Sequence, residues 1–410
     1  MRPVSPNLPP IDPDYTVGLL TDLVRINSVN PMTSQGAAAS DGPGPPGESR
    51  IAARLAEAMM DLGAEVEITP AEEAGEEADR RPNVTGRWPG EGRGARPGPE
   101  IVLCSHLDTV GVAGMEAPFD PAVRDGRVFG RGSLDAKGQL VMFLAALHAA
   151  RKMEEPLPAN VTIAAVSDEE DQSVGARSIL KTLQGDFCII GEPTGLDLVL
   201  AHKGFCWIEI ETFGRAVHGS VPEQGIDAIA KMAEVIRAVE GLKPSLRERV
   251  HPLLDHPKIH MGVIEGGSGV STVPDHCRLT LEVRTCLREE AEGIFAEIRD
   301  ILRRLSGADP DLKAEARLGV VRQPMEIDPD HPLVSGLAAA VEAALGKPPA
   351  RNVMGAWTDA GYFAEKIPTV VFGPGDLGLA HSKEESVPID EIIRGAAAVL
   401  RLLTSPPTME

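Results

Sequence analysis

Aromatic residues are scarce: nine Phe, three Trp and two Tyr make up 3% of the 410 residues. The core must therefore be mostly aliphatic, since apolar residues still account for 42% of the chain. Positive charge is also in deficit. Forty Lys and Arg against 61 Asp and Glu leave a formal net charge of −21, which argues against nucleic acid or an anionic membrane as partner. The same balance suits a chain that binds cations, although surface carboxylates account for most of it. Cysteine is sparse. Cys104, Cys188, Cys206, Cys277 and Cys286 contain no CxxC pair, and they read as buried free thiols of a reducing compartment. No apolar stretch approaches membrane-spanning length, and MRPVSPNLPPIDPDY lacks a basic-then-apolar signal pattern. These absences lead us to expect a cytoplasmic protein with no nucleic-acid and no membrane partner.

What is present is organised around residues 103–138, LCSHLDTV, a loop, and GRGSLDAKG. The run Ile101–Cys104 predicts a buried strand. Side chains two apart on a strand share a face, so His106 and Asp108 point the same way. A metal-bound imidazole is commonly held like this, one residue ligating and a neighbour accepting the other ring N–H. Asp135 precedes AKGQLVMFLAALHAARKM, which has the length and apolar density of a buried helix. Helices are also expected at 15–26, 49–62, 172–184, 226–240, 289–305, 331–345 and 390–403. Strands are expected at 64–68, 83–87, 160–166, 186–190 and 368–372. The Gly/Pro/Ser/Ala-rich stretch 32–48 predicts a mobile loop.

The character changes near Lys203. Segments 204–214, 257–264 and 275–284 alternate apolar and polar residues, as half-exposed antiparallel strands do. A β-α-β-β-α order there predicts a small α+β domain inserted into a larger α/β domain. The boundaries expected are 1–203 and 323–410 for the larger domain and 204–322 for the insertion.

Candidate ligands gather where predicted strands end: His106, Asp135, Glu169 or Glu170, Glu192 and His381. Singly, each has an ordinary explanation: Asp135 as a helix cap, Glu192 as a turn cap, the acid run 168–171 as a solvated face. Together they differ, because charges that end a buried strand are not expected without a reason. Two divalent ions would balance three carboxylates and two neutral imidazoles once a hydroxide lies between them. Mixed His and carboxylate ligands suit zinc, with cobalt or manganese as substitutes. Asp135 is the natural bridging ligand, and whichever of Glu169 and Glu170 does not ligate can act as base.

The motifs SHLDTV, GRGSLDAKG, SDEE, GEPT, GRAVHGSVPEQGIDAI, the segment Gly266–Pro274, WTDA and GPG…AHSKEE span residues 105–385 in order. In them the chain resembles the metallopeptidase family that includes acetylornithine deacetylase, succinyl-diaminopimelate desuccinylase, aminoacylase and bacterial glutamate carboxypeptidase. The resemblance implies an α/β zinc-peptidase-like catalytic domain with an inserted α+β lid and dimerisation domain. It implies that His106, Asp135 and Glu192 hold one Zn2+ and that Asp135, Glu170 and His381 hold another. Asp108 would orient His106, and Glu169 would be the general base and acid. His218 would stabilise the oxyanion in the partner subunit's site, and Arg284 would bind the substrate carboxylate. Ser271, Thr358 and Asp359 fall in motifs that contact substrate. Ser271 and Asp227 stand where the family often has Asn, and Gly361 stands where some members have Arg. The implied activity is hydrolysis of the amide of an N-acyl amino acid by a homodimer, acetylornithine first. Succinyl-diaminopimelate, a dipeptide or a carboxypeptidase substrate is the alternative. An inactive protein that binds metal or an amino-acid derivative is the non-enzymatic one.

Overall fold

The computed structural model describes residues 8–31, 47–72, 74–75, 81–92 and 98–408. Nearly all of the predicted mobile loop 32–48 lies outside these, as do parts of the loops around residues 76–80 and 93–97. The chain begins with α1 (Pro13–Val24), α2 (Ser49–Asp61), β1 (Glu65–Pro70), β2 (Pro82–Trp88) and β3 (Glu100–His106). A hairpin of β4 (Ala122–Arg124) and β5 (Arg127–Phe129) leads to α3 (Lys137–Ala150), β6 (Asn160–Val166), α4 (Val174–Ile179), β7 (Phe187–Ile190) and β8 (Leu198–His202). Next come β9 (Gly204–Phe213), α5 (Ala228–Glu240), α6 (Lys243–Arg247), β10 (Lys258–Gly266), β11 (His276–Thr285), α7 (Glu290–Ala308) and β12 (Lys313–Arg322). The chain finishes with β13 (Met325–Glu326), α8 (Pro332–Leu345), β14 (Arg351–Met354), α9 (Ala360–Phe363), β15 (Thr369–Val371), β16 (Ser386–Pro388) and α10 (Ile389–Thr404). Packing divides it into two compact units. One comprises Met1–Leu200, Glu326–Asn352 and Thr358–Glu410, the other Ala201–Met325 and Val353–Trp357.

The fold is α/β, as expected. Among the described residues, the large sheet runs β1-β2-β6-β3-β7-β15-β8-β13, with β14 on β8. Its centre is parallel: β3 pairs with β6 on one side and β7 on the other, and β7 pairs with β15. Strands covered on both faces carry continuous apolar runs, and from the second residue onward β3 and β6 are buried throughout. α3 is buried from Lys137 to Leu147, as an α-helix without a polar face must be. α1 and α10 pack on it. The aliphatic core follows from the composition: Leu, Ile, Val and Ala dominate it, with Phe143, Phe187 and Phe372 among the few rings.

The smaller unit holds a four-stranded antiparallel sheet, β10-β11-β9-β12, whose apolar face packs with α5 and α7. β12 was not expected. Its inward face begins with Ala314 and Ala316, and alanine is a weak strand signal. β8 also escaped the sequence reading, as a short apolar run with no alternation. The helix expected at 172–184 shrinks to the six residues of α4. Asp227 accepts the Ala230 amide at 3.0 Å as N-cap of α5. Asp and Asn cap about equally well.

His202 at the end of β8 is buried, and its ring lies edge-on to Trp357. Its Nδ1 donates to the Lys203 carbonyl at 3.1 Å. Nε2 has no hydrogen-bond partner among the described residues. Burial pushes the imidazole down to about 4, against an ordinary value near 6.5. Between those values the unfolded chain binds a proton that the folded chain does not. Stability present above the unfolded value is therefore lost as pH falls toward the folded one. His202→Gln should remove roughly 2–3 kcal/mol of the acid destabilisation at about pH 4.5, read by urea unfolding against a neutral-pH control. Equal acid sensitivity in both proteins would contradict a neutral buried imidazole.

Candidate metal centre

The parallel centre of the sheet brings the predicted ligands to one edge. His106 is the last residue of β3 and sits opposite Val166, the last of β6. Cys104 sits opposite Ile190, the last of β7. The residues that follow these strands, Glu169 and Glu170 after β6 and Glu192 after β7, leave the sheet beside His106. Such carboxyl-end crevices are where open α/β sheets place their sites. Asp135 arrives from the turn before α3. It does not cap that helix: Ala136 is the N-cap position and makes no side-chain bond. His381 arrives from the segment before β16.

Two triplets form. The ligand atoms of His106, Asp135 and Glu192 lie within 4.8 Å of one another, and so do those of Asp135, Glu170 and His381. His106 Nε2 is 3.0 Å from Asp135 Oδ1 and 3.9 Å from Glu192 Oε1. His381 Nε2 is 3.2 Å from Asp135 Oδ2 and 3.2 Å from Glu170. Asp135 therefore turns one oxygen toward each triplet. Both sets offer nitrogen and oxygen donors and no thiolate, a donor set that fits a divalent metal ion of the zinc type.

Electrostatics point the same way. Burial raises Glu192 and Glu169 well above the usual carboxylate range, and their carboxylate neighbours add to it. Glu170 is raised by burial and by Asp135. Asp135 is held low against burial by His106 and His381. Asp135 and then Glu170 lift His381 to about 10. Burial opposes charge on His106, but Asp108 and Asp135 together outweigh it and raise it. The imidazoles thus hold protons where the carboxylates demand positive charge, which is what a divalent cation supplies.

A second layer fixes this edge. His106 Nδ1 is 3.0 Å from the Asp108 backbone carbonyl and 3.5 Å from the Asp108 carboxylate. The carboxylate itself accepts the amides of Glu169 and Glu170, both at 3.1 Å, and Asn30 Nδ2 at 2.8 Å. One side chain thus sits against His106 and anchors the acidic turn. Asp168, with φ of 68°, begins that turn, a left-handed conformation that aspartate tolerates better than most residues. It accepts the amides of Gln172 at 3.2 Å and Val174 at 3.3 Å and pairs with buried Arg81. Asn30 bridges Asp108 and Asp168.

Thr358 and Asp359 belong to the larger unit and are buried, and Thr358 Oγ1 accepts the Ala360 amide at 3.1 Å. Asp359 contributes to the raised values of Glu169 and Glu192. His218, Ser271 and Arg284 belong to the smaller unit. His218 is exposed, and its Nδ1 accepts the Ser220 amide at 3.2 Å, which places the proton of a neutral ring on Nε2. Ser271 is exposed and its carbonyl accepts the Gly219 amide at 2.7 Å. Arg284 lies over the Phe205 ring and donates Nε to Glu282 at 2.7 Å.

Sequence reasoning gave no role to Asn30, Arg81, Asp168, Arg131 or Glu385. Arg131 and Glu385 stand inside the quoted motifs, and Asp168 in the acid run, yet nothing about spacing marks them. Arg81 and Asn30 carry no local signal at all.

Residues 102–405 match the model of peptidase family M20/M25/M40. The chain is 31% identical over 327 residues to an acetylornithine deacetylase of Myxococcus xanthus, covering 76% of this chain and 80% of that protein. It is 30% identical over 341 residues to an acetylornithine deacetylase of Salmonella typhimurium, covering 81% and 84%. Its fold is similar to aminopeptidase PepT from Bacillus cereus, with TM-score 0.76, 21% identity and coverage of 96% and 98%. It is likewise similar to an M20 family metallo-carboxypeptidase from Sulfolobus solfataricus, with TM-score 0.72, 18% identity and coverage of 95% and 98%.

Breaking a buried ion pair by removing one partner costs about 3–5 kcal/mol. Arg81→Met leaves the Asp168 carboxylate buried without its cation and should cost that much in urea unfolding. A cost under about 1 kcal/mol would show that the pair does not support the acidic turn.

Proposed function

The chain belongs to peptidase family M20/M25/M40, and on that premise we propose that it hydrolyses the amide bond of an N-acyl amino acid. N-acetylornithine is the first candidate, because the relatives described above are named acetylornithine deacetylases. The observation that carries this reading is Asp135 turning one oxygen to each ligand triplet while Glu169, in neither triplet, stands beside Glu170.

We assign two Zn2+, with Co2+ or Mn2+ as possible substitutes: one held by His106, Asp135 and Glu192, the other by Asp135, Glu170 and His381. When bound, the ions would polarise the acyl carbonyl and acidify water at the site. Glu169 is the proposed general base. It takes the proton from the attacking water and delivers it to the leaving amine, a task suited to a carboxyl whose affinity for protons is raised by burial. Asp108 keeps Glu169 in place through its backbone amide and His106 through its ring. His218 offers Nε2–H to the developing oxyanion. Arg284 holds the substrate carboxylate, and Ser271, Thr358 and Asp359 line the substrate. The inserted domain, expected at 204–322, serves as lid and dimerisation domain of a cytoplasmic homodimer in which His218 acts in the partner's site.

Zinc-loaded protein should hydrolyse one acyl class from a panel of N-acetylornithine, N-succinyl-diaminopimelate, N-acetyl amino acids and dipeptides, and chelation should abolish the activity. No turnover on any member would contradict the assignment. Glu169→Gln should keep zinc content unchanged and lower kcat by about 10²–10⁴-fold; near-normal kcat would remove it as the base. His218→Ala should lower kcat by about 10²–10³-fold with zinc content unchanged, whereas an unaltered kcat would place it outside the reaction.

A further inference from the structure

Arg131 and Glu385 form an ion pair in which both side chains are at most 1% exposed. Neither residue belongs to either ligand triplet. The Glu385 carboxylate divides its bonds. Oε2 takes Arg131, while Oε1 accepts the backbone amides of Leu134 and Asp135, both at 3.1 Å. Arg131 in turn donates Nη2 to the Ser382 carbonyl at 3.4 Å, one residue after His381. The backbone adds to this zip. Gly130 donates to the Glu385 carbonyl at 3.3 Å, and β16 pairs with β5 with Ser386 opposite Phe129. Arg127 closes the far end on Ser386, with Nε to Oγ at 3.0 Å and Nη2 to the carbonyl at 2.8 Å.

This arrangement has a consequence for the ligands. Asp135 lies just outside α3, whose N-cap position is Ala136, so no helix hydrogen bond uses its amide. Its amide is held instead by a carboxylate 250 residues away in sequence. The same carboxylate stands four residues after His381, so its bonds to the Leu134 and Asp135 amides tie the His381 segment directly to the Asp135 turn. The shared ligand and one ligand of the second triplet thus depend on a single buried side chain.

We propose that Glu385 is a positioning residue for the metal centre: it fixes the Asp135 turn against the His381 segment and so sets the two Asp135 oxygens toward their separate triplets. The inference rests on Asp135 being the ligand shared by two ions. Partners that orient metal ligands without touching the metal typically govern affinity by about 10–100-fold, and that is the scale expected.

The test compares full-length variants that differ in which bond of Glu385 survives. Arg131→Met with Glu385→Gln removes the ion pair but keeps an acceptor for the two amides. Arg131→Met with Glu385→Leu removes both. Each metal-free protein is melted, and zinc affinity is then measured by competition with a chromophoric chelator. The Gln form should bind zinc within a few-fold of wild type, and the Leu form about 10–100-fold more weakly, at similar melting temperatures. Equal zinc affinity in the two double variants would overturn the proposal. Where the Leu form does not fold, Glu385→Asp serves instead, because it keeps the charge beside Arg131 and withdraws the reach to the amides. The same weakening is expected, and wild-type affinity would overturn the proposal. Wild-type protein that binds fewer than two zinc ions would refute the shared-ligand reading itself, separately from the role of Glu385.

Discussion

The site is governed by a concentration of like charge that the fold cannot dilute. Asp108, Asp135, Glu169, Glu170 and Glu192 gather at one edge of a buried parallel sheet, where burial opposes every carboxylate charge. Carboxylates so placed must be protonated, paired or bound to cations. His106 and His381 answer part of the demand by holding protons beyond their ordinary range. The remaining demand makes divalent metal the natural partner of this edge, and the hydrolytic chemistry of the family depends on it.

Buried side chains hold the segments that carry these carboxylates. Asp108 accepts the amides of both glutamates of the acidic turn. Asn30 and Arg81 hold Asp168 at the head of the same turn. Arg131 and Glu385 hold the Asp135 turn. Each support includes at least one buried charged side chain that makes several bonds. Charged groups are costly to leave unpaired in the interior, so removing one partner of a support is expected to be felt at the ligands it holds.

The elements most legible in the sequence were those whose pattern is local. The amphipathic α2 and α7 and the apolar β3 and β6 follow from periodicity alone. The ligands were legible because most of them follow the end of a predicted strand or precede a predicted helix, where an α/β sheet gathers its carboxyl ends. β12 was lost because its inward face starts with Ala314 and Ala316. The helix expected at 172–184 was overextended because its composition outran the packing that ends α4 at Ile179. Asn30, Arg81 and Glu385 were illegible for a different reason. Their partners lie 138, 87 and 250 residues away, and no local spacing encodes a bond across such a distance. The two oxygens of Asp135 facing separate triplets could be suspected from charge balance but required coordinates to be seen.

The proposed chemistry turns on Asp135 being shared between two metal ions. Diffraction from crystals of zinc-loaded protein, with anomalous differences collected at the zinc edge, tests it most directly. Two peaks per chain about 3.5–4 Å apart are expected, one against Asp135 Oδ1 beside His106 and Glu192, the other against Oδ2 beside Glu170 and His381. A single peak, or two peaks with Asp135 bound to one ion alone, would contradict it.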